Sequence, residues 1–217
     1  MGLLTFKGGI HPDDGKRFSK DQPIRPVVPQ GELVYPLSQH IGAPAKPVVK
    51  KGDCVLKGQL IAEAGGLEQR FNPTGSQVEC IVVENDGEYK EVEYEPVKPL
   101  EEMTREEIIN KIGDAGIVGM GGAGFPTKVK LSPKEPDKIE YIIANCAECE
   151  PYITADYRRM LEYTEDLVSG MKVILSLFPN ARGVFAVEDN KKDCIEKLQK
   201  AVAGEPRIDV KALMTKY

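Results

Sequence analysis

The chain has 217 residues, of which 41% are hydrophobic and 29% charged, a composition typical of a globular protein with one or two domains. The formal net charge is -5, and the lysines are spread among acidic residues, so the basic stripe that nucleic acid requires is missing. No apolar run approaches the roughly 20 residues of a membrane-spanning helix. The sequence therefore predicts a cytosolic protein with no direct membrane span and no nucleic-acid partner.

The cysteines favour a reducing compartment, because they form an odd set with scattered spacing and so argue against a disulfide framework. One pair, Cys146 and Cys149, has the spacing of a redox pair or of half a zinc site. No second pair with zinc spacing follows, and His11 and His40 lie far away in the sequence, so we assign no metal ligand. The five cysteines are Cys54, Cys80, Cys146, Cys149 and Cys194.

The first part of the chain is predicted to be extended and then β-rich. Residues 1–30 are rich in glycine and proline and lack periodicity, which indicates an extended N-terminal arm. Over residues 31–95, short β-rich segments alternate with turn signals, beginning with a predicted strand at 32–37. Tight hairpins are predicted at three turn signals, Gly52-Asp53, Lys57-Gly58 and Asp86-Gly87.

Within this region, the segment from Gly52 to Ile61 is similar to half of a biotinyl or lipoyl type sandwich. In carrier domains of that kind, the modified lysine lies in a hairpin beside a methionine, and this segment has no Met-Lys pair. We therefore predict a barrel-sandwich-like β domain over residues 31–95 with a structural role and no covalently bound cofactor.

From residue 100 the pattern changes to α/β, after a linker that contains prolines and acidic residues. Thr104 and Glu107 predict a capping box at the start of a short amphipathic helix over 103–112. Further along, strands alternate with helices, which predicts right-handed crossovers and a parallel sheet. We expect strands at 138–145, 183–188 and 208–214, and helices at 155–178, with a break near Thr164, and at 190–202.

A glycine-rich stretch, Gly116 to Lys130, lies between the first helix and the sheet. Its glycines lack the Cβ atoms that would hold a ligand away from the backbone, and they permit positive φ where N–H groups converge on a phosphate. Phe125 and Pro126 stiffen the exit, and Lys128 and Lys130 place cations within reach of a bound anion. A solvent-exposed turn has the same spacing. The loop glycines are Gly119, Gly121, Gly122 and Gly124.

This glycine loop follows a helix, whereas a dinucleotide-binding fingerprint follows a strand and opens a helix. We therefore expect it to bind a mononucleotide or flavin phosphate. A polar cluster follows the first strand of the predicted sheet, with Asn145 as donor and acceptor and with Glu148 and Glu150 as acceptors. Ligands of parallel sheets collect at the carboxyl ends of strands, so the cluster lies where a ligand is expected. The alternative is a capped loop before a helix.

Together, the two motifs resemble a known flavin site. The stretch Gly119 to Lys130, followed by Asn145 to Asp156, is similar to the FMN site shared by two proteins: the flavoprotein subunit of respiratory NADH dehydrogenase, and the C subunit of the Rnf ion-translocating ferredoxin:NAD oxidoreductase. The resemblance covers nearly the whole chain. Three stretches favour the Rnf protein, Thr5 to Pro12, Ala147 to Asp156 and Val187 to Lys191.

The resemblance implies roles for the residues of both motifs. The four loop glycines would line the FMN phosphate and ribityl chain, and Lys130 matches a lysine of the family motif. Where the family has an arginine between the first two glycines, this chain has Met120. Asn145 and Glu148 match residues that contact the flavin. Phe125 and Glu150 would face the nicotinamide, Glu148 and Glu150 would be catalytic, and Asn190 is a weaker match in the cofactor site.

By this resemblance, the protein is an electron-transfer flavoprotein subunit that exchanges electrons between NAD(H) and iron–sulfur clusters through FMN. Its implied partners are the other subunits of a membrane-bound electron-transport complex, which would place it peripherally on the cytoplasmic face of the cell membrane. Two alternatives are a non-catalytic nucleotide-binding scaffold and a soluble relative that serves another reductase system.

Compared with the family, the chain is expected to be shortened in two places. The family has a further strand segment of the sandwich between the positions of Gly66 and Leu67. Beyond Tyr217 it continues into further nucleotide-site loops, a β-grasp domain and a domain with two 4Fe-4S clusters, so clusters are expected only there. We therefore expect residues 100–217 to form a parallel-sheet FMN- and NADH-binding α/β domain, truncated at its C-terminus and not competent alone.

Overall fold

The computed structural model describes residues 4–38, 43–63, 79–120 and 124–216. The chain divides into two compact units: Met1–Pro26 with Lys134–Tyr217, here called the α/β unit, and Val27–Pro133, here called the β unit. The division differs from the expected domain limits, since residues 100–133 group with the β-strands and the first 26 residues group with the sheet. The expected limits stay a prediction.

In its described part, the β unit has short strands in antiparallel pairs. Strand β1 (Glu32–Pro36) pairs with β4 (Cys80–Glu84), and β2 (Lys46–Pro47) pairs with β3 (Ala62–Glu63). Strand β1 confirms the strand predicted at residues 32–37.

The predicted hairpins are only partly right. Backbone turns form at Gly52-Asp53 and at Lys57-Gly58, but both lie inside the long connection between β2 and β3 and neither closes a tight hairpin. The hairpin predicted at Asp86-Gly87 is wrong, because β4 pairs with β1, and the chain beyond Gly87 instead bridges Lys57 through Glu91. Cross-strand packing decided the partners here, and the local turn signal did not.

The helix α1 (Arg105–Asp114) precedes the glycine loop in the chain. The Thr104 hydroxyl accepts from the Glu107 N–H at 3.2 Å, and the Glu107 carboxylate accepts from the Thr104 N–H at 2.8 Å. This reciprocal pair confirms the predicted capping box. Ile108 and Ile109 are buried on the predicted apolar face. A single turn of helix, α2 (Thr127–Lys130), follows the loop.

The α/β unit is built on a three-stranded parallel sheet whose strands lie side by side in chain order, which confirms the predicted parallel sheet. Within the described ranges, no helix of the protein is long and apolar enough to cross a membrane. The predicted helical region is interrupted at Tyr163, which separates two helices and lies next to the predicted break at Thr164. The elements are β5 (Tyr141–Cys146), α3 (Ala155–Glu162), α4 (Thr164–Ser176), β6 (Arg182–Glu188), α5 (Lys192–Ala201) and β7 (Ile208–Leu213).

The N-terminal segment, for which an extended arm is predicted, makes hydrogen bonds to other parts of the α/β unit. The Leu4 N–H donates to the Ala212 carbonyl at 3.4 Å, beside β7, and the Ile24 N–H donates to the Glu162 carboxylate at 3.1 Å. Between these contacts lies a short 3-10 helix, Lys16–Phe18. The glycines and prolines of the N-terminal segment disfavour long helices and strands, but they do not prevent such contacts with the rest of the unit.

The central strand β6 allows α4 to approach closely because it carries Gly183. A Cβ atom at this position would lie 2.8 Å from Met171 Sδ and 3.1 Å from Leu175 Cδ1, both on α4. Both of these side chains are buried, so neither is free to move aside. The close contact between α4 and the sheet therefore requires a residue without a side chain at position 183.

We predict that Gly183→Ala lowers the free energy of unfolding by about 1–3 kcal/mol, because the added methyl overpacks this contact. Gly170→Ala, on the open side of α4 with nothing within 4 Å of its Cβ, is the matched control and should raise it by roughly 0.5–1 kcal/mol. Urea unfolding midpoints at a constant slope measure both changes. A Gly183→Ala chain as stable as the wild type would show that α4 is not seated against β6 in this way.

Candidate functional site

The two ends of the glycine loop are held together by backbone contacts, which form a narrow neck. The Gly119 N–H donates to the Phe125 carbonyl at 2.8 Å, and Val118 and Pro126 form an antiparallel bridge beside it. Gly124 has a φ of 60°, a left-handed conformation that favours glycine. The predicted phosphate-binding glycines Gly121 and Gly122 lie outside the described residues.

The two lysines after the neck have different surroundings. A Cβ atom on Gly119 would lie 3.4 Å from the Lys130 ammonium, so this ammonium lies beside the neck. Lys130 is exposed, and among the described residues it has no hydrogen-bond or ion-pair partner. The Lys128 ammonium instead donates to Asn110 Oδ1 on α1 at 2.9 Å, and its stem packs over Gly113. Of the two predicted cations, the structure thus places Lys130 at the loop and Lys128 on α1.

The described residues of this neck include two features that the phosphate of FMN requires, small residues and an unpartnered cation. A phosphate needs backbone N–H groups that small residues leave accessible, together with a cation to offset its charge. Gly119 and Gly124 supply the small residues on either side of the loop, and the unpartnered ammonium of Lys130 supplies the cation. Met120, which stands where the family has arginine, is 97% exposed, and Phe125 is 38% exposed.

In the α/β unit, the chain leaves β5 through residues 146–153, here called the β5 turn. Asn145, the residue before it, is exposed, and its Oδ1 accepts from the Ala147 N–H at 3.1 Å. This bond fixes the orientation of the amide, and its NH2 group is left to donate elsewhere. Glu150 is exposed as well. Both predicted residues are therefore accessible to a ligand.

Glu148 differs from these neighbours because its carboxylate points into the protein, with a side chain that is 4% exposed. Its Oε1 accepts from the Asp156 N–H at 2.7 Å, in the first turn of α3. Its Oε2 has no hydrogen-bond donor among the described residues and lies 3.6 Å from the ammonium of Lys16. The carboxylate therefore supports the turn, and the flavin contact implied by the resemblance stays a prediction.

Sequence reasoning missed Lys16, which is only 7% exposed. Its ammonium donates to the Glu150 carbonyl at 3.0 Å and to the Ile153 carbonyl at 2.6 Å, besides facing Glu148. The lysine sits in a segment without periodicity, more than a hundred residues from its partners. The one available signal was its proximity to the motif from Thr5 to Pro12, because that motif forms part of the resemblance.

A second buried ion pair lies where β6 ends. The Glu188 carboxylate accepts from the Lys191 ammonium and, at 3.1 Å, from the Glu148 N–H of the β5 turn. Asn190 lies between the two residues of the pair and is exposed, with its Oδ1 3.4 Å from the Lys191 ammonium. Since β5 and β6 are parallel neighbours, Asn190 and the β5 turn lie at the same edge of the sheet.

The Cys-x-x-Cys motif is divided between the interior and the surface. Cys146 is buried and Cys149 is exposed, and both are free thiols. Burial raises the pKa of Cys146 to about 11, so this thiol stays protonated and unreactive at neutral pH. No cluster of histidine, cysteine and acidic side chains suited to a metal ion occurs in the part of the chain that the structure describes.

Comparison with known families covers both halves of the chain. Residues 4–88 match the RnfC barrel sandwich hybrid domain, and residues 112–217 match the Nuo51 FMN-binding domain. These matches confirm the predicted fold class, a barrel-sandwich-like β part followed by an FMN-binding α/β domain. Among solved structures, an NAD+-reducing NiFe-hydrogenase in the H2-reduced state aligns with 52% of this chain and 21% of its own. The TM-score of this alignment is 0.43, and the aligned residues are 22% identical.

Curated relatives match almost the whole chain. The C subunit of the proton-translocating ferredoxin:NAD(+) oxidoreductase complex of Clostridium ljungdahlii is 40% identical over 99% of this chain and 50% of its own length. The C subunit of the Na(+)-translocating ferredoxin:NAD(+) oxidoreductase complex of Acetobacterium woodii is 39% identical over 98% of this chain and 52% of its own. The chain thus spans about half the length of these two relatives. Almost the whole chain is therefore similar to the C subunits of ion-translocating ferredoxin:NAD(+) oxidoreductase complexes, with a match to an RnfC barrel sandwich hybrid domain followed by a match to a Nuo51 FMN-binding domain.

Proposed function

We propose that this chain binds FMN and forms the part of an Rnf-type complex that exchanges electrons with NAD(H). The observation that carries the proposal is the exposed ammonium of Lys130 beside the neck of the glycine loop, with no partner among the described residues. The match of residues 112–217 to an FMN-binding domain supports it, as do relatives named as subunits of ferredoxin:NAD(+) oxidoreductase complexes.

In the β unit, the glycine loop and Lys130 would hold the phosphate. Gly119 and Gly124 keep the backbone on both sides of the loop free of Cβ atoms, so no side chain at these two positions would hold an anion away from the backbone. Lys130 would add a charge-assisted hydrogen bond, which is roughly twice as strong as a neutral one. Phe125, half-exposed at the neck, offers an apolar surface next to the phosphate.

In the α/β unit, we propose flavin or nicotinamide contacts for three exposed residues, Asn145, Glu150 and Asn190. The two amides donate and accept, as the polar edges of these rings require, and the carboxylate only accepts. The buried Glu148 would act on the same site by holding the turn and by adding a negative charge behind it.

When bound, FMN would supply hydride exchange with NAD(H), which moves two electrons, and single-electron exchange with iron–sulfur clusters. The residues of this chain would bind and orient the reactants. The five cysteines lack the spacing of a four-ligand cluster, so we propose that the clusters belong to other parts of the complex. The partners would be the other subunits, through which the protein would associate peripherally with the cytoplasmic face of the membrane.

The first test concerns the cation at the neck. We expect Lys130→Ala to weaken FMN binding by about 1.5–3 kcal/mol, roughly ten- to more than a hundredfold, because a charge-assisted hydrogen bond is lost. Lys128→Ala removes the same charge two residues away, and FMN affinity should be nearly unchanged because Lys128 is bound to Asn110. Quenching of FMN fluorescence on titration measures both. Wild-type affinity in Lys130→Ala would contradict the phosphate contact, whereas a wild-type chain that binds no FMN would favour a scaffold without the cofactor.

The second test concerns the backbone of the loop. Gly124 and Gly116 both have left-handed conformations, with φ of 60° and 65°, so an alanine at either position should cost about 1–2 kcal/mol of stability. Only Gly124→Ala distorts the neck, and only this variant should also lose FMN affinity. Urea unfolding and FMN titration of the two variants separate the effects. If both lose stability and both keep FMN, the neck does not hold the phosphate.

A further inference from the structure

The β5 turn has a backbone conformation that needs support from elsewhere in the protein. Tyr152 has a φ of 65°, which residues with a side chain rarely adopt. Its N–H donates to the Asp14 carbonyl at 2.8 Å, and its carbonyl accepts from the Ser19 hydroxyl at 2.6 Å. Both supporting groups belong to the N-terminal segment, so that segment maintains the shape of the turn.

The two segments fit closely around a glycine. A Cβ atom on Gly15 would lie 2.4 Å from the ring of Tyr152, so only glycine lets the segment approach. Gly15 itself has a φ of 63°. The tyrosine ring also stacks on Phe18, with ring centroids 6.2 Å apart. The N-terminal segment is thus shaped to dock against this turn.

Lys16 is the central contact of this docking. Its ammonium faces three acceptors of the turn, the carbonyls of Glu150 and Ile153 and the Oε2 of Glu148. An ammonium has three donors that rotate into place, which suits acceptors converging from different directions, whereas the planar fork of arginine does not. The first carbonyl belongs to Glu150, so the ammonium holds the backbone from which that exposed side chain extends.

We propose that Lys16 is a positioning residue for the flavin and NAD(H) site, acting through the β5 turn on the direction of Glu150 and Asn145. The inference rests on the proposed function, and it extends the site to a segment that precedes the β unit in the chain. Lys16 itself is buried and would not touch the ligand. Its role is to fix the turn whose exposed residues do.

Without Lys16, the Oε2 of Glu148 would be buried with no cation near it in the described part of the chain. A second buried lysine, Lys191, is bound to Glu188, and Glu188 also accepts from the Glu148 N–H. Loss of Lys16 would therefore disturb Glu148, and through the Glu148 N–H its effect would extend to Glu188 at the end of β6. A buried carboxylate without a partner is strongly unfavourable, so the turn is expected to open.

The flavin test compares Lys16→Met with Arg17→Met in the whole chain loaded with FMN. Arg17 is the neighbouring cation, exposed and paired with Asp13, so it controls for the loss of one positive charge. We expect Lys16→Met to change the visible circular dichroism and the midpoint potential of the bound flavin. FMN affinity should change little, because the phosphate contacts lie in the glycine loop. Arg17→Met should match the wild type in all of these measurements.

The second readout does not need FMN. Buried Cys146 begins the β5 turn, and exposed Cys54 lies in the other unit as an internal reference. Fragment-ion mass spectrometry after treatment with iodoacetamide gives the labelling rate of each thiol and separates Cys146 from exposed Cys149, which lies in the same tryptic peptide. We expect Lys16→Met to label Cys146 several-fold faster, with Cys54 unchanged and Arg17→Met like the wild type.

A double variant keeps the test decisive if Lys16→Met alone does not fold. Lys16→Met with Glu148→Gln leaves no buried unpaired charge at this contact, so the chain should fold, while the contacts to the two turn carbonyls are still lost. We expect its flavin spectrum to stay altered. A folded single or double variant with the wild-type flavin spectrum and wild-type Cys146 labelling would overturn the inference. If the wild type does not bind FMN, the proposed function is overturned instead. The proposed role of Lys16 is then overturned as well, because the site that it positions does not exist.

Discussion

The arrangement at the carboxyl edge of the sheet depends on the cost of burying charge. A buried lysine or glutamate is tolerated only when a partner of opposite charge and further hydrogen bonds surround it. The α/β unit buries two such pairs next to each other, and each constrains a different piece of chain. Together the two pairs connect the N-terminal segment and the end of β6 to the β5 turn. The residues concerned are Lys16, Glu148, Glu188 and Lys191.

The same principle separates structural charges from those available to a ligand. Lys128 and Lys130 are two residues apart on one turn of helix, yet Asn110 engages the first and the described residues leave the second without a partner. Glu148 and Glu150 show the same division on the β5 turn, one carboxylate buried against a lysine and the other exposed. In each motif, one residue stabilises the fold while its near neighbour is exposed.

A rigid support of this kind suits a site in which the cofactor supplies the chemistry. The protein then contributes orientation, and a displacement of about 1 Å in a contacting group reduces a rate severely. An exposed turn alone would not hold its side chains with that precision. Anchoring the turn to a buried ammonium and to a neighbouring strand gives Glu150 and Asn145 a fixed base, although both are open to solvent.

The sequence alone determined the features that depend on local patterns. The periodicity of strands and helices predicted the parallel sheet and its helices. Thr104 and Glu107 predicted the start of α1. The run of glycines marked a loop whose backbone is not covered by side chains. Only the tertiary structure decided the partner of β4, the direction of Lys128 and the burial of Lys16. These depend on contacts between segments far apart in the chain, and periodicity and spacing report only on near neighbours.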